Sequence, residues 1–209
     1  VHVMTDPGPY PFTLKGKLAN GSEFEFSQMV RVQSGDYESE RITVDPAYLD
    51  PTVDNAELAF IKEITRPVTP EKLWSGYFEK PTPFDIYINS LFGTRRSYNG
   101  SDYTYFHSGI DFGGGAGADV ICPANGKVVY TGTLEIRGNA TIIDHGWGIY
   151  TGYWHQSEVF VQVGDTVTEG QVIGLVGNTG RSSGAHLHWE VWAGGVQVEP
   201  YDWLIEQYP

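Results

Sequence analysis

Between about residue 119 and residue 198, short apolar segments alternate with turns rich in glycine, asparagine and aspartate. The segments read "VICPA", "GKVVYTG", "ATIIDH", "YTGYWH", "QVIGLVG", "HLHWEVW" and "VQVEP". Short apolar runs at this spacing are typical of strands in an all-β protein. The 26 glycines and the 14% aromatic content agree with many strands joined by tight turns. We therefore expect an all-β fold whose main domain is a Gly-rich antiparallel sheet sandwich or a barrel-like sheet.

The first part of the chain predicts a small β module followed by a linking helix. "FTLKGKL", "EFEFSQMVRV" and "ERITVD" alternate polar and apolar residues, as half-buried strands do. The stretch "DNAELAFIKEITR" predicts a helix with Asp54 as its N-cap and Glu57 completing a capping box. We therefore divide the chain into an N-terminal β module (1–50), a helix with a Pro-rich linker (51–84) and a main domain (85–209).

Charge and cysteine content exclude several classes of function. The formal net charge of −13 and the absence of a basic stripe argue against nucleic acid as a partner. A lone cysteine, Cys122, cannot form an intrachain disulfide, and its apolar surroundings indicate a buried structural thiol. No apolar run is long enough to span a membrane, and no signal or anchor segment is visible. We expect a monomer.

Two histidines, His186 and His188, stand two positions apart in the strand-like stretch "GAHLHWEV". Side chains at i and i+2 of a strand point to the same face, so the two imidazoles are expected side by side. Imidazole is the commonest metal ligand in proteins and a general base near neutral pH. Taken alone, the pair is equally compatible with one exposed and one packed histidine that share no role.

Further candidate ligands lie in "YFHSGIDFGGG", where His107 and Asp111 are four positions apart. On a straight strand their Cα atoms would be about 13 Å apart, too far to bind one ion. A shared ion requires the chain to bend, which Gly109 permits. Two histidines and one carboxylate form a usual catalytic zinc set that leaves one position open. His107, Asp111 and either His186 or His188 would supply it, and His155 in "GYWHQS" could complete the site.

Taken together, these motifs resemble the LytM/lysostaphin-type zinc metallopeptidases, which cut the peptide part of bacterial peptidoglycan. The matching stretches are "HSGIDF" (107–112), "YWHQS" (153–157) and "HLHWEV" (186–191). The intervening "DVICPANGKVVYTG", "IIDHGWGIY" and "VGDTVTEGQVIGLVGNTG" match in the same order, so that the resemblance covers about residues 85–205.

The resemblance implies a zinc-dependent endopeptidase that hydrolyses peptide bonds in peptidoglycan stem peptides or crosslinks. By position, His107, Asp111 and His188 would bind Zn²⁺, while His155 and His186 would be the catalytic pair. Peptidoglycan peptides would be the partner. The protein would therefore act outside the cytoplasm, as a periplasmic, secreted or cell-surface protein.

Two other functions agree with parts of the sequence. Some relatives have lost zinc ligands and regulate other cell-wall hydrolases, so a non-catalytic peptidoglycan-binding regulator is the alternative, although all the ligand positions are present here. "VGDTVTEGQVIGLVGNTG" also resembles lipoyl and biotinyl carrier domains, but no lysine lies at its hairpin to accept the cofactor.

Other polar residues near these motifs have weaker support. Arg95, Arg96, Tyr98 and Asn99 precede the first motif in a predicted loop, and Arg95, Tyr98 and Asn99 are our candidates for substrate binding. Glu190 shares the face of His188 and either orients a ligand or is an ordinary strand carboxylate. His145 lies in a turn signature and is expected to be structural.

Overall fold

The computed structural model describes residues 3–83 and 85–208. His2, a terminal histidine to which the sequence assigns no role, lies outside the described residues. Contacts between Cα atoms divide the chain into two compact units, one ending at Glu38 and the other beginning at Ser39. Each unit is described by itself below.

The first unit is built on an antiparallel hairpin of strands β1 (Gly8–Lys17) and β2 (Glu23–Val32). Strand alternation gives the hairpin two different faces. One face carries polar pairs such as Thr13 opposite Ser27 and Lys15 opposite Glu25. The other carries exposed apolar side chains, with Leu14 opposite Phe26. The stretches "FTLKGKL" and "EFEFSQMVRV" form this hairpin, whereas the third strand predicted for the module, in "ERITVD", lies in the second unit.

The second unit contains the remaining strands and helices in the described part of the chain. In chain order they are β3 (Ser39–Ile42), a 3₁₀ helix (Pro46–Leu49), α1 (Pro51–Thr65), β4 (Ile88–Ser90), β5 (Arg95–Tyr98), β6 (Tyr105–Phe106), β7 (Ile110–Phe112), β8 (Asp119–Ile121), β9 (Gly126–Leu134), β10 (Gly138–Gly146), β11 (Ile149–Gln156), β12 (Glu158–Val159), β13 (Thr166–Val167), β14 (Val172–Leu175), β15 (Leu187–Ala193), β16 (Val196–Val198) and α2 (Pro200–Ile205).

Most strands of the second unit belong to one antiparallel sheet. Its strand order is β13-β9-β10-β11-β15-β7-β4, with β16 also paired to β15. A small antiparallel sheet of β12, β14 and β8 accompanies it, and β3, β5 and β6 form another in which β3 and β5 are parallel. The all-β prediction is confirmed, and none of the described sheets closes into a barrel.

Both faces of the central strands are buried, which explains their nearly continuous apolar sequences. On β15, Leu187, Trp189 and Val191 belong to the larger core cluster, together with Tyr153 of β11. Trp192 points to the opposite face and packs with Trp154 and with Ile61 of helix α1 in a second cluster. Side chains of β15 that share the Trp192 face, His188 and Glu190 among them, therefore lie on the side of the sheet that α1 covers.

The segment between α1 and β4 also contributes to the core, with Trp74 and Phe78 buried in the larger cluster. Cys122 is fully buried there as a free thiol, as its sequence context predicts, and burial raises its pKa to about 12. Of the helices in the described residues, none is sufficiently long and apolar to cross a membrane.

Helix α1 begins earlier than the capping box predicts. Its N-cap is Asp50, whose carboxylate accepts a hydrogen bond from the backbone N–H of Thr52, 2.8 Å away. Pro51 occupies the first helical position, where its fixed φ suits the helix and its lack of an N–H costs nothing. The predicted N-cap, Asp54, is wrong: this residue lies inside the helix.

Candidate active site

His186 and His188 face the same side of the main sheet, as their spacing predicts. His188 lies within β15, and His186 lies just before it and forms an isolated bridge with Gly177. In the sheet, β15 runs between β11 and β7, so His188 is paired with Trp154 on one side and with Asp111 on the other. Strand pairing alone thus brings a histidine and an aspartate from distant parts of the sequence together.

His107 reaches the same point from a bend between β6 and β7. Strand β6 ends at Phe106 and β7 begins at Ile110, so the residues between them turn the chain. A Cβ at Gly109 would clash with the carbonyl oxygen of Trp189, which shows that this glycine permits a close approach to β15. The bend inferred from the sequence is present.

The three candidate ligands converge to form a buried cluster. The Nε2 atom of His107 lies 3.0 Å from Oδ1 of Asp111 and 2.9 Å from Nδ1 of His188. The Nδ1 atom of His188 lies 2.8 Å from Oδ1 of Asp111. These atoms have the types and the mutual proximity needed to hold one metal ion.

The outer nitrogens of the two histidines fix the protonation of the inner ones. Nδ1 of His107 lies 2.9 Å from the carbonyl oxygen of Leu91, which only accepts, so this nitrogen carries a proton and Nε2 presents a lone pair. Nε2 of His188 lies 3.1 Å from Oε1 of Glu190 and donates there, so in the neutral ring Nδ1 presents a lone pair. Three acceptor atoms thus face one another. A proton can bridge only two of them, whereas a metal cation binds all three.

Burial and neighbouring charges set the pKa values in the cluster. Burial lowers the pKa of His107 to about 4, against the opposing effect of Asp111, so its imidazole is neutral. Burial alone would raise the pKa of Asp111, but His107 and His188 hold it well below its usual range. Burial would lower the pKa of His188, yet Asp111 and Glu190 raise it. His107 and Asp111 thus provide a neutral imidazole beside an ionised carboxylate, the state that a metal ion requires, whereas a metal ion must displace a proton that Asp111 and Glu190 favour on His188.

Glu190 and Arg96 support the cluster from outside. Glu190 is buried and accepts hydrogen bonds from His188, Ser108 at 2.6 Å and Trp192 at 2.8 Å. Burial opposes ionisation of Glu190, but the hydrogen bond and charge of His188 lower its pKa to about 2. Arg96 donates from Nη2 to Oδ2 of Asp111 at 2.7 Å, which leaves Oδ1 for the cluster.

Two further histidines lie against the cluster. The ring centroids of His155 and His186 are 4.9 Å apart, and His155 is 6.1 Å from His188. Nε2 of His186 lies 3.5 Å from Oδ1 of Asp111. Nδ1 of His155 donates to the carbonyl of Thr179 at 2.7 Å, so its Nε2 presents a lone pair. Burial, reinforced by His186 and His188, lowers the pKa of His155 well below its usual value.

The residues proposed for substrate binding occupy different environments. Tyr98 lines a cleft together with His155 and His188. The side-chain amide of Asn99 forms two 3.0 Å hydrogen bonds with the backbone of Val44. Arg95 lies on the face of β5 opposite to Arg96. The prediction of a loop is therefore wrong for residues 95–98, which form β5. Strand alternation would have indicated that Arg96 and Tyr98 share one face.

His145 lies apart from the cluster, as its turn context predicts. Its Nδ1 is 2.8 Å from the carbonyl oxygen of Asn125, and its Nε2 is 2.8 Å from the hydroxyl of Thr151. Both nitrogens are thus engaged in holding strands together.

Comparison with known proteins places this geometry in a family. Residues 105–200, which include all five clustered side chains, match the model of "Peptidase family M23". The peptidoglycan DD-endopeptidase ShyA of Vibrio cholerae is 40% identical over 111 residues, which cover 53% of this chain and 26% of ShyA. The DD-carboxypeptidase/endopeptidase Mpg of Neisseria meningitidis is 43% identical over 94 residues, 45% of this chain and 22% of Mpg. The matched region thus spans about a quarter of these curated relatives.

Solved structures extend the likeness to most of the chain. A crystal structure from Pseudomonas aeruginosa assigned to peptidase M23 superposes with a TM-score of 0.70 at 30% identity, covering 96% of this chain and 75% of that one. A zinc-containing peptidase from Vibrio cholerae superposes with a TM-score of 0.57 at 32% identity, covering 60% of this chain and 40% of that one. The sequence resemblance is confirmed, and the chain belongs to peptidase family M23.

Proposed function

We propose that this protein is a zinc-dependent endopeptidase that hydrolyses peptide bonds in the stem peptides or crosslinks of bacterial peptidoglycan. The observation that carries the proposal is the convergence of three possible ligand atoms, from His107, Asp111 and His188, directly beside two more histidines. The names of ShyA and Mpg support peptidoglycan peptides as the substrate class. Action on peptidoglycan places the protein outside the cytoplasm.

His107, Asp111 and His188 would hold the zinc ion, and residues 85–209 would form the catalytic domain. When bound, zinc supplies Lewis acidity that polarises a peptide carbonyl and makes water more acidic. Arg96 and Glu190 keep Asp111 and His188 in the orientation that binding requires.

His155 and His186 would move the protons of the reaction. Because Nδ1 of His155 donates to Thr179, its Nε2 is free to accept a proton from the attacking water. A low pKa makes the protonated ring a strong acid, so it readily returns the proton to the leaving amine. Nδ1 of His186 lies 2.7 Å from the carbonyl of Gly184 and donates there, which turns Nε2 towards Asp111 and the cluster. His186 is thus placed either to share the base role or to donate to the oxyanion.

The first test measures zinc content together with peptide release from purified sacculi, with and without a chelator. We expect about one zinc per chain and chelator-sensitive release, and the product masses would name the bond. Zinc without hydrolysis of any sacculus type would contradict the proposal and favour a peptidoglycan-binding regulator.

Substitutions separate the two groups of residues. His107→Ala, Asp111→Ala and His188→Ala should lose stoichiometric zinc, since each removes a donor. His155→Ala and His186→Ala should retain zinc and lose about 10²–10³-fold or more in turnover. Glu63→Gln, on the exposed side of α1, is the matched control and should change neither quantity. Near-normal turnover in either histidine variant would refute the role assigned to it.

A further inference from the structure

A narrow cleft beside the histidine cluster is lined by three arginines. Arg96, Arg137 and Arg181 border it together with His155 and His188, and its volume is about 60 Å³. In a chain with 26 acidic and 13 basic residues, three arginines but a single carboxylate, that of Glu190, line this opening. A cleft of this volume suits a small polar group such as a carboxylate.

Arg96 is committed to the metal-binding cluster through Asp111 and Glu40. The other two arginines are held from behind by helix α1. Nη1 of Arg181 lies 2.9 Å from Oδ2 of Asp54, and Nη1 of Arg137 lies 3.2 Å from Oε2 of Glu57. Each guanidinium group is therefore fixed by one of its terminal nitrogens.

The remaining donors of these two arginines make no hydrogen bond to protein in the described residues. Within residues 3–83 and 85–208, the hydrogen bonds that Arg137 and Arg181 side chains make to protein use Nη1 alone. Nε of Arg137 is buried without a hydrogen-bond partner in that part of the chain. The guanidinium carbon of Arg181 lies 4.9 Å from the ring centre of Tyr98, which holds it flat at the cleft. A planar fork of donors held in advance is suited to a carboxylate, which it can bind through two parallel hydrogen bonds.

We propose that Arg181, supported by Arg137 and Tyr98, forms a subsite for a free carboxylate on the substrate residue that follows the scissile bond. The proposal rests on the peptidase function above. The cleft shares His155 and His188 with the site, so a carboxylate bound there would lie beside residues that act on the scissile bond. In a D-alanyl peptide bond the preceding residue has used its carboxyl group in that bond. The neighbouring free carboxylate therefore belongs to the following residue.

This subsite selects among the bonds found in peptidoglycan. A crosslink from D-alanine to diaminopimelate carries a carboxylate on the carbon that bears the scissile nitrogen, and a terminal D-Ala–D-Ala bond does as well. A bond within a glycine bridge does not carry one at that position. We therefore expect cleavage next to a carboxylate-bearing centre and poor cleavage within glycine bridges.

The test uses two synthetic peptides ending in D-Ala–D-Ala that differ only at the C-terminus, one a free acid and the other a carboxamide. Hydrolysis is measured with the zinc-loaded full chain, and binding by calorimetry with the chelator-treated chain. The variants are Arg181→Gln and Arg181→Lys, with Arg66→Gln as a control at an exposed arginine. Thermal unfolding and zinc content are recorded for each protein.

We expect the wild-type protein to prefer the acid over the carboxamide by about 10–100-fold, in both kcat/KM and binding, because charge-assisted hydrogen bonds form only with the carboxylate. Arg181→Gln should bring the acid-to-carboxamide ratios of kcat/KM and of binding close to one, chiefly through a change in KM. Arg181→Lys should keep part of the preference for the acid, and Arg66→Gln should keep all of it. A wild type indifferent to the carboxamide, or a folded Arg181→Gln with an unchanged ratio, would overturn the subsite. Preference in binding without hydrolysis of either peptide or of sacculi would instead overturn the peptidase function and leave the subsite standing.

Discussion

The histidines of the site owe their ligand geometry to oxygen atoms from other parts of the chain. His107, His155 and His186 each have Nδ1 fixed by a backbone carbonyl, and His188 has Nε2 fixed by Glu190. Motif spacing and strand alternation, which are local properties, make the five clustered side chains candidates, and the family resemblance assigns each of them a role. The sequence does not predict these acceptors, since their contacts depend on loop paths that only the folded chain defines.

Arg96 illustrates the same limit. Its role depends on β5 lying beside β3, where Glu40 meets it, and on β7 presenting Asp111 to it. No short-range pattern encodes both contacts, and the neighbouring Arg95 has the same residue type. Predicting a strand at residues 95–98 would have placed the two arginines on opposite faces, but would not have indicated which face contacts the cluster.

A pH effect on stability is expected from His145, which is remote from the cluster. Burial lowers its pKa from 6.5 to about 4. As pH falls, the unfolded chain therefore takes up a proton before the folded chain does, and folding stability is lost between pH 6.5 and about 4. Between pH 7.5 and pH 5 this group alone should cost about 2 kcal/mol.

Denaturant unfolding of wild type and His145→Gln at the two pH values measures that contribution. The variant is expected to start less stable at pH 7.5, because it perturbs the contacts with Asn125 and Thr151, but to lose about 2 kcal/mol less on acidification. Other buried histidines affect both proteins equally, so the difference isolates His145. If the free energy of unfolding changed with pH by the same amount in wild type and in His145→Gln, the pKa of His145 would not differ between the folded and unfolded states.

At the level of elements, helix α1 shows why a correct helix can still be assigned the wrong start. Two cap signals follow one another: Asp50 before Pro51, and Asp54 three positions before Glu57. The first forms the cap, and the second pair is used in tertiary contacts instead. The carboxylate of Glu57 accepts from the backbone N–H groups of Ile136 at 2.7 Å and Arg137 at 3.3 Å, at the turn between β9 and β10.

Glu57 is therefore expected to contribute strongly to the contact between α1 and the sheet. Glu57→Ala leaves two backbone donors and the buried guanidinium of Arg137 without their carboxylate, which should lower the free energy of unfolding by about 3–5 kcal/mol. Glu63→Ala on the same helix removes only an exposed pair with Arg66 and should cost less than about 1 kcal/mol. Chemical denaturation of the two variants makes the comparison, and similar losses would show that the buried network adds nothing.

At the scale of the whole molecule, the class of fold follows from sequence but its topology does not. Turn spacing and alternation indicate strands, and both the hairpin of the first unit and the central strands lie close to the predicted stretches. The order β11-β15-β7, on which the site depends, joins strands that are far apart along the chain. Such pairing is selected by burial on both faces of the sheet, a property of the assembled core.

The position of the site within one unit leads to a prediction about metal and stability. All described candidate ligands, and the residues that orient them, lie after Glu38 and hence in the second unit. A ligand that binds only the folded state stabilises it, by about 4 kcal/mol at a thousandfold excess over its Kd. For a chain of this size that corresponds to roughly 10 °C in Tm.

Removing zinc with a chelator should therefore lower the Tm by roughly 10 °C, both in the full chain and in a chain beginning at Ser39. The physical reason is that the three acceptor atoms of His107, Asp111 and His188 repel one another once the cation is gone. His107→Ala is the control, and its Tm should not respond to the chelator. Calorimetry at defined zinc concentrations measures these Tm values. A Tm drop confined to the full chain would mean that the first unit takes part in holding the metal. No Tm drop in either chain would mean that the cluster does not bind zinc.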